Sequence, residues 1–219
     1  MGRLMDGAWR AVRALSMGMA ATWLVGCASP ITAKVTNFNA WPADAAGATF
    51  SYAATSQHRG ELEQATYEGY VGEELVKRGL RQAPAGQAGR LLVEVFITEA
   101  ERKKTVMEPV YDNALTVVQP WGSMSSAQFM SGPRYVGDRA VEKTLQIDSL
   151  RVRILDTQGT APGAKPRTVF SSTAVYEGQD EDLPHVMPFL ARALFQDFPG
   201  RSGRVTSLSY DASTGERKR

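Results

Sequence analysis

The sequence predicts an α+β fold, with a mixed, mostly antiparallel sheet and two amphipathic helices packed on one of its faces. Alternating apolar residues, which are typical of strands with one buried face, occur in segments 90–98, 144–155 and 167–178. Apolar residues recur every three to five positions in segments 61–80 and 183–198, as they do in amphipathic helices. The chain has 219 residues, enough for one domain with a substantial core.

Two short strands are predicted near the start of this domain. The segments "ITAKVTNF" (31–38) and "GATFSYAAT" (47–55) carry β-branched and aromatic residues. Between them lies "WPADAAG" (41–47), whose Pro, Asp and Gly are typical of a turn. We therefore expect the two strands to flank this turn.

The first predicted helix covers residues 61–80. Its apolar positions recur with the helical period, and Gly79 stands where helices commonly end. The face predicted to pack against the sheet contains Leu62, Ala65, Tyr70, Val71, Leu75 and Val76.

Segment 90–98 predicts a strand with one wholly apolar side, formed by Leu91, Val93, Val95 and Ile97. In segment 144–155 the apolar alternation shifts by one position at Asp148 and Ser149. Because an extra residue in a strand produces such a shift, we expect a β-bulge there, with Arg151 and Arg153 facing solvent.

The last third of the chain predicts a strand, a helix and a short strand. Segment 167–178 follows the turn-rich "DTQGTAPGAKP", so it should form an antiparallel hairpin with the preceding strand. In the second helix Asp182 is the expected N-cap and Pro184 suits the first turn. One apolar side is expected from Leu183, Met187, Leu190, Ala191, Leu194 and Phe198, and "RVTSLSYD" completes the prediction.

Residues 1–26 have the layout of a secretory signal peptide. Arg3, Arg10 and Arg13 precede an uncharged, apolar or small stretch at 14–25. That stretch is shorter than the roughly 20 residues that a membrane-spanning helix needs. A short buried helix is the structural alternative.

Leu24, Val25, Gly26 and Cys27 resemble the lipobox of bacterial lipoproteins. This resemblance implies that Cys27 is acylated and becomes the new N-terminus, so that residues 27–219 form a single α+β lipoprotein domain. The residue after Cys27 is Ala28 and not an aspartate. By resemblance to the sorting of Gram-negative lipoproteins, this implies the outer membrane, with the domain facing the periplasm. A lone cysteine is otherwise most often a small buried side chain. We expect one partner to be the membrane, through the lipid anchor on Cys27.

The mature chain is electrically balanced. Residues 1–26 contain three arginines and one aspartate, and their removal leaves 22 basic and 22 acidic side chains. This balance provides no broad electrostatic case for binding nucleic acid or anionic lipid headgroups. We therefore expect no nucleic-acid partner.

No catalytic residue, metal site or cofactor site is predicted. The mature chain has two histidines, His58 and His185, and neither lies in a hydrolase motif such as G-x-S-x-G. Carboxylates that calcium could use gather with His185 in "EGQDEDLPH", but their spacing is not that of an EF-hand. A solvated loop in which Asp182 caps the second helix explains Glu177, Asp180 and Glu181 more simply.

Segment 115–137, "LTVVQPWGSMSSAQFMSGPRYVG", has no clean helical or strand period. We predict a long Met/aromatic loop at 117–135, and loops this long are uncommon unless they are functional or disordered. Either the loop covers the end of the sheet and buries Trp121 in the core, or it exposes a surface for an envelope protein or a hydrophobic ligand. The binding residues would then be Trp121, Met124, Phe129, Met130 and Tyr135.

The chain resembles the bacterial domain of unknown function 4136. The resemblance is carried by the signal and lipobox, a Trp and "TFSY" near two N-terminal strands, "EELVKRGL", "LLVEVFI", "LRVRILDTQG" and "LFQDFPG". It implies a small α/β lipoprotein domain of the bacterial envelope, with no assigned reaction, cofactor or catalytic residue. The turn in "DTQGTAPGAKPRTVF" is longer than the family pattern, so the register of that hairpin is open.

Two classes of function remain from the sequence. One is a non-catalytic binding or assembly module of the envelope. The alternative is a small hydrolase or ligand-processing enzyme, for which the chain lacks a convincing set of acid, base or metal-binding residues.

Overall fold

The computed structural model describes residues 30–53, 60–112, 133–161, 163–179 and 181–218. The chain divides into two compact units. One is Thr32–Leu208, and the other combines Met1–Ile31 with Ser209–Arg219.

The described elements are two α-helices, a short 3-10 helix and eight strands. In chain order they are β1 (Ile31–Asn39), the 3-10 helix (Ala43–Ala45), β2 (Thr49–Tyr52), α1 (Glu61–Lys77), β3 (Arg81–Gln82), β4 (Leu91–Asp112), β5 (Arg134–Asp156), β6 (Arg167–Gly178), α2 (Leu183–Leu194), β7 (Arg204–Tyr210) and β8 (Arg217–Lys218). The strands form one sheet in the order β3-β2-β4-β5-β6-β1-β7-β8. The predicted α+β class is confirmed.

The sheet is mixed and mostly antiparallel. β2 runs parallel to both β3 and β4, whereas β4, β5, β6 and β1 pair antiparallel in that order. Both strands predicted around the "WPADAAG" turn exist, but three strands separate β1 from β2 in the sheet. The turn therefore carries the chain across the sheet and does not close a hairpin.

The core lies on the side of the sheet that carries the helices. On β4 the predicted apolar side is buried, from Leu91 through Val93 and Val95 to Ile97. Leu150, Val152 and Ile154 are fully buried on the same side of β5. We call the opposite side, which no described helix covers, the open face.

Helix α1 forms where predicted, and the buried face that was predicted for it is correct only in part. Leu62 is 86% exposed and Val76 is 52% exposed, whereas Tyr67, Val71 and Leu75 are buried. These three residues lie four apart and so share one helix face. Gly72 on the same face allows a close approach, because a Cβ there would lie 2.7 Å from the hydroxyl of Tyr52.

Helix α2 begins at Leu183 after Asp182, as predicted. Asp182 occupies the N-cap position, but its side chain makes no capping hydrogen bond, and its carbonyl accepts from the backbone N–H of His185 at 2.9 Å. Phe198 lies beyond the helix end. There it packs edge to face against Trp41 at 4.7 Å and contacts Phe170 at 4.9 Å.

The bulge predicted at Asp148 and Ser149 is wrong. Both residues pair in unbroken register with β4 and with β6. The apolar residues change sides without an extra residue: Ile147 is half-buried on the open face, and Leu150 is buried on the core face. The register shifts lie elsewhere, at Ile154/Leu155 toward β6 and at Val110/Tyr111 toward β5.

The predicted β5–β6 hairpin is confirmed, with antiparallel pairing from Gln146↔Gly178 to Asp156↔Arg167. Arg151 is exposed on the open face, and Arg153 is half-buried there beside Glu94. The strand predicted from "RVTSLSYD" is β7.

In the smaller unit, Ser209 and Tyr210 pair with Lys218 and Arg217. The turn between them is organised by Asp211. Its Oδ1 accepts hydrogen bonds from the hydroxyl of Ser213 (2.5 Å) and from the backbone N–H groups of Ser213 and Thr214. These bonds hold the pKa of the Asp211 carboxyl well below its usual value.

Candidate functional site: the distal ribbon

The two longest strands of the described residues pair with each other far beyond the rest of the sheet. β4 and β5 have 22 and 23 residues, paired from Leu91↔Asp156 to Asp112↔Arg134. β2 reaches only Val93 of β4, and β6 reaches only Gln146 of β5. We call residues 101–112 and 134–145 the distal ribbon. Twelve residues of extended chain make it roughly 40 Å long.

Sequence reasoning placed a strand at 90–98 and missed its extension to Asp112. Charged residues at 101–104 interrupt the apolar pattern, and these four residues lie exposed within β4. A weak signal was present, since the β-branched Val106 and Val110 lie an even number of positions apart and so share one side of an extended strand.

Tyr135 is the one predicted binding residue within the described part of the chain. It belongs to β5, so the loop predicted at 117–135 is too long at its C-terminal end. Cys27 and the remaining candidates, Trp121, Met124, Phe129 and Met130, lie outside the described residues. By chain connectivity, however, these four residues lie in the segment that joins the last residue of β4 to the first residue of β5.

The end of the distal ribbon exposes apolar and aromatic side chains. Met107, Tyr111, Tyr135 and Val136 are each more than half exposed. The rings of Tyr111 and Tyr135 pack edge to face across the strands, with centroids 6.1 Å apart. A hydrogen bond from the Tyr135 hydroxyl to the Asp138 carboxylate raises the pKa of Tyr135. Exposed aromatics of this kind are common anchors in protein interfaces.

A β-bulge lies next to this tyrosine pair. Val110 pairs with Gly137 and Tyr111 with Tyr135, which leaves Val136 as the extra residue of β5. Gly137 has φ 143°, a conformation that other residues rarely adopt. The bulge thus depends on glycine at this position.

Ion pairs cross the distal ribbon nearer the sheet. Glu108 accepts from Lys143 at 2.8 Å and lies 3.9 Å from Arg139. The hydrogen bond from Lys143 lowers the pKa of Glu108. Because these side chains are substantially exposed, such pairs add little to stability.

The outer edge of β4 carries a proline. The Val93 carbonyl accepts from Ala53 of the β2 side at 2.9 Å, so odd-numbered residues of β4 direct their backbone groups toward that edge. Pro109 is in this set and has no N–H to offer there.

An open cleft of about 470 Å³ lies on the open face, where β1, β6 and the base of the distal ribbon meet. Its lining contains Thr32, Lys34, Arg102, Lys104, Leu145, Val175 and Glu177. Arg102 forms an ion pair with Glu177. A smaller cleft of about 240 Å³ lies beside the C-terminal end of α2.

The acidic segment before α2 is divided between several contacts. Glu177 pairs with Arg102, and Glu181 lies 3.4 Å from the partly exposed His185. Asp180 and His58 fall outside the described residues. Within the described ranges, no group of three or more His, Cys, Asp or Glu residues is arranged to hold a metal ion.

A different cluster of charges, which the sequence did not suggest, joins the start of β4 to the end of β5. Arg90 donates to both carboxylate oxygens of Asp156, at 3.1 and 3.0 Å, and to Asp44 at 3.0 Å. These bonds lower the pKa of Asp156 and of Asp44. The arrangement is that of a structural ion pair at the edge of the core.

Neither helix of the described part of the chain is long and apolar enough to cross a membrane.

The fold is a small α+β domain with a half-covered sheet, extended at one end by a two-stranded ribbon. Residues 34–200 match the family Domain of unknown function (DUF4136). The chain belongs to this family, which confirms the resemblance seen in the sequence.

Solved structures with a similar course of the chain include a PDZ domain protein from Parabacteroides distasonis, with 14% identity and a TM-score of 0.48. That match covers 84% of this chain and 43% of the other, so it spans less than half of that protein. PelC dodecamers from Paraburkholderia phytofirmans match in two crystal forms, with 12% identity, 78% of this chain and 99% of PelC covered, and TM-scores of 0.42 and 0.41. No curated protein matches the sequence.

Proposed function

We propose that the protein is an acylated envelope lipoprotein, anchored to the outer membrane through Cys27 and facing the periplasm. In this proposal it is a non-catalytic binding or assembly module, and the distal ribbon binds another envelope protein. The observation that carries the proposal is the exposed apolar and aromatic end of that ribbon.

The anchor is supported by the signal layout of residues 1–26 and by the lipobox that ends at Cys27. Two or more acyl chains hold a protein stably at a membrane, whereas one chain does so only marginally. Acylation of both the thiol and the new amino group would therefore keep the domain at the membrane surface.

The binding role is supported by what the distal ribbon lacks. An isolated two-stranded ribbon is marginally stable in water, and this one leaves Met107, Tyr111, Tyr135 and Val136 exposed. A partner that covers these side chains would remove apolar surface from water and stabilise the ribbon. The segment 113–132, rich in Met and aromatic residues, adjoins the same end.

The anchor is tested with Cys27→Ser. Without the thiol no acyl chain can be added, so the variant should remain unprocessed or lack the acyl mass, and should leave the detergent phase on partitioning. Mass spectrometry and detergent partitioning provide the measurement. A Cys27→Ser protein that still carries the acyl mass and still enters the detergent phase like the wild type would contradict acylation at this residue.

The binding role is tested by photocrosslinking in intact envelopes, with a photoreactive phenylalanine analogue at Tyr111 or Tyr135. The same analogue at Val76, which is equally exposed on α1, is the matched control. We expect a discrete adduct from the ribbon positions alone, and its loss when Met107→Ser and Val136→Ser are added. Identical adducts from Val76, or none from the ribbon in correctly acylated protein, would contradict the proposal.

A further inference from the structure

The open face carries a local excess of positive charge, although the mature chain is balanced overall. Around the cleft of about 470 Å³, the basic side chains are Lys34, Arg102 and Lys104, and the acidic side chain is Glu177. The overall balance provides no broad electrostatic case for anionic lipid headgroups, but it does not exclude a local one, because folding can place charges of one sign together.

The acid in this cleft is already neutralised. Glu177 pairs with Arg102, and farther along the open face Glu94 pairs with Arg153 at 3.1 Å. Lys34 and Lys104 are exposed and form no ion pair within the described ranges. The cleft thus offers two ammonium groups that an external anion can approach.

The rest of the cleft suits an amphipathic ligand. Leu145 and Val175 are half-buried and supply apolar surface between the charged side chains. Thr32 adds a hydroxyl. A phospholipid presents the same combination, with a phosphate beside apolar glycerol ester and acyl groups.

The tether from the proposed lipid anchor is short. Thr32 follows Cys27 by five positions, a distance of at most about 18 Å when the chain is fully extended. Thr32 lines the cleft, and Lys34 follows two residues later. A bilayer that holds acyl chains on Cys27 is therefore within reach of the basic cleft.

We propose that the open face around Lys34, Arg102 and Lys104 is a second membrane contact that binds anionic phospholipid headgroups. This inference rests on the proposed acylation of Cys27, because the short tether selects a bilayer over other anionic partners. The contact would fix the orientation of the domain on the membrane, which a lipid anchor alone does not do.

The test uses the mature, acylated protein in phospholipid vesicles. Acylated Cys27 has no free thiol, so Thr98→Cys places a single fluorophore on the open face, in the row of paired residues that leads through Ser149 and Val175 to Lys34. Thr66→Cys on α1 is the matched label. Headgroup spin-labelled lipid should quench the Thr98 label, and not the Thr66 label, when the vesicles contain phosphatidylglycerol.

The double substitution Lys34→Gln with Lys104→Gln should weaken the contact between the open face and anionic vesicles roughly 30-fold, because each basic residue near an anionic membrane contributes about fivefold. Arg78→Gln with Lys165→Gln makes the same charge change at exposed positions away from the cleft and should leave quenching intact. High salt should abolish it. Glycerol phosphate should not compete, whereas competition would show a soluble phosphate site and overturn the lipid assignment.

Acylated protein that stays on the vesicles but shows no anion-dependent quenching would overturn the second contact and leave the anchor standing. Equal quenching of both labels would do the same. Protein that lacks acyl mass and binds neither kind of vesicle would instead contradict the proposed anchor.

Discussion

The two halves of the β4–β5 pair have the same backbone pairing and different surroundings. Near Leu91 and Asp156 the pair lies between β2 and β6, and α1 and α2 cover one of its faces. In the distal ribbon no described strand adjoins either edge, and most side chains are exposed. Hydrogen bonding between the strands continues through both halves, so it is not what distinguishes them.

The difference shows that burial, more than strand pairing, decides where this sheet is stable. Apolar side chains alternate with polar ones in the covered half and yield to charges beyond residue 98. Exposed ion pairs such as Lys103 with Glu142 do not replace that burial. We therefore expect the covered half to set global stability and the distal ribbon to open locally.

The largest expected effect contrasts two leucines of the same strand. Leu150→Ala should lower the free energy of unfolding by about 3 kcal/mol, because it leaves a cavity in a fully buried site. Leu145→Ala, on the open face, should cost about 1 kcal/mol or less. Urea denaturation monitored by circular dichroism measures both. Equal losses would mean that the distal ribbon belongs to the same cooperative core.

The next effect concerns the bulge beside the tyrosine pair. Gly137→Ala forces a side chain into a backbone conformation that favours glycine, at a cost of about 1 to 3 kcal/mol. Because the strain lies in the distal ribbon, amide hydrogen exchange should quicken at least fivefold around Val110, with little change around Val93. Ala140, which also lies in the ribbon, provides the control as Ala140→Ser. A shift in the global melting temperature with unchanged local exchange would contradict this assignment.

The smallest effect compares two carboxylates as the pH falls. The hydrogen bonds from Arg90 lower the pKa of Asp156 in the folded protein below its usual value of 3.8. The ionised carboxylate therefore stabilises the fold fully at pH values above 3.8, and this stabilisation is lost as the pH falls through the lower pKa of the folded state. Asp156→Asn should therefore flatten the fall of the melting temperature in acid. Glu108→Gln, in the exposed ribbon, should leave the acid profile close to that of the wild type. Parallel profiles for wild type and Asp156→Asn would contradict the role of this pair.

Sequence periodicity was sufficient for the elements whose burial alternates regularly. β4 near Leu91, β6 and α2 each have one apolar side, and each was predicted at nearly its observed position. The error at Asp148 has a physical reason: the apolar pattern records which side is buried, and here the buried side changes along an unbroken strand. On α1, Val71 and Leu75 are buried as predicted, but Leu62 is exposed and Tyr67 is buried in its place. The helical period alone accommodates either residue, and only the packing against the sheet decides between them.

The candidate site was predicted in part. Composition drew attention to segment 115–137, and Tyr135 lies at the end of the ribbon that leads into it. The ribbon itself escaped prediction because strands exposed on both faces have no regular apolar alternation. The basic cleft escaped because Lys34, Arg102 and Lys104 are far apart in sequence and meet only through the order of the strands.

Pro109 on the outer edge of β4 bears on how copies of this protein avoid pairing with one another at high concentration. A long edge strand presents a row of backbone donors and acceptors to which the edge of another molecule can add, and repeated addition builds fibrils. Proline interrupts that row by removing one donor, and the lysines at 103 and 104 add repulsion between like edges. The ribbon can thus expose aromatic side chains while its backbone discourages polymerisation.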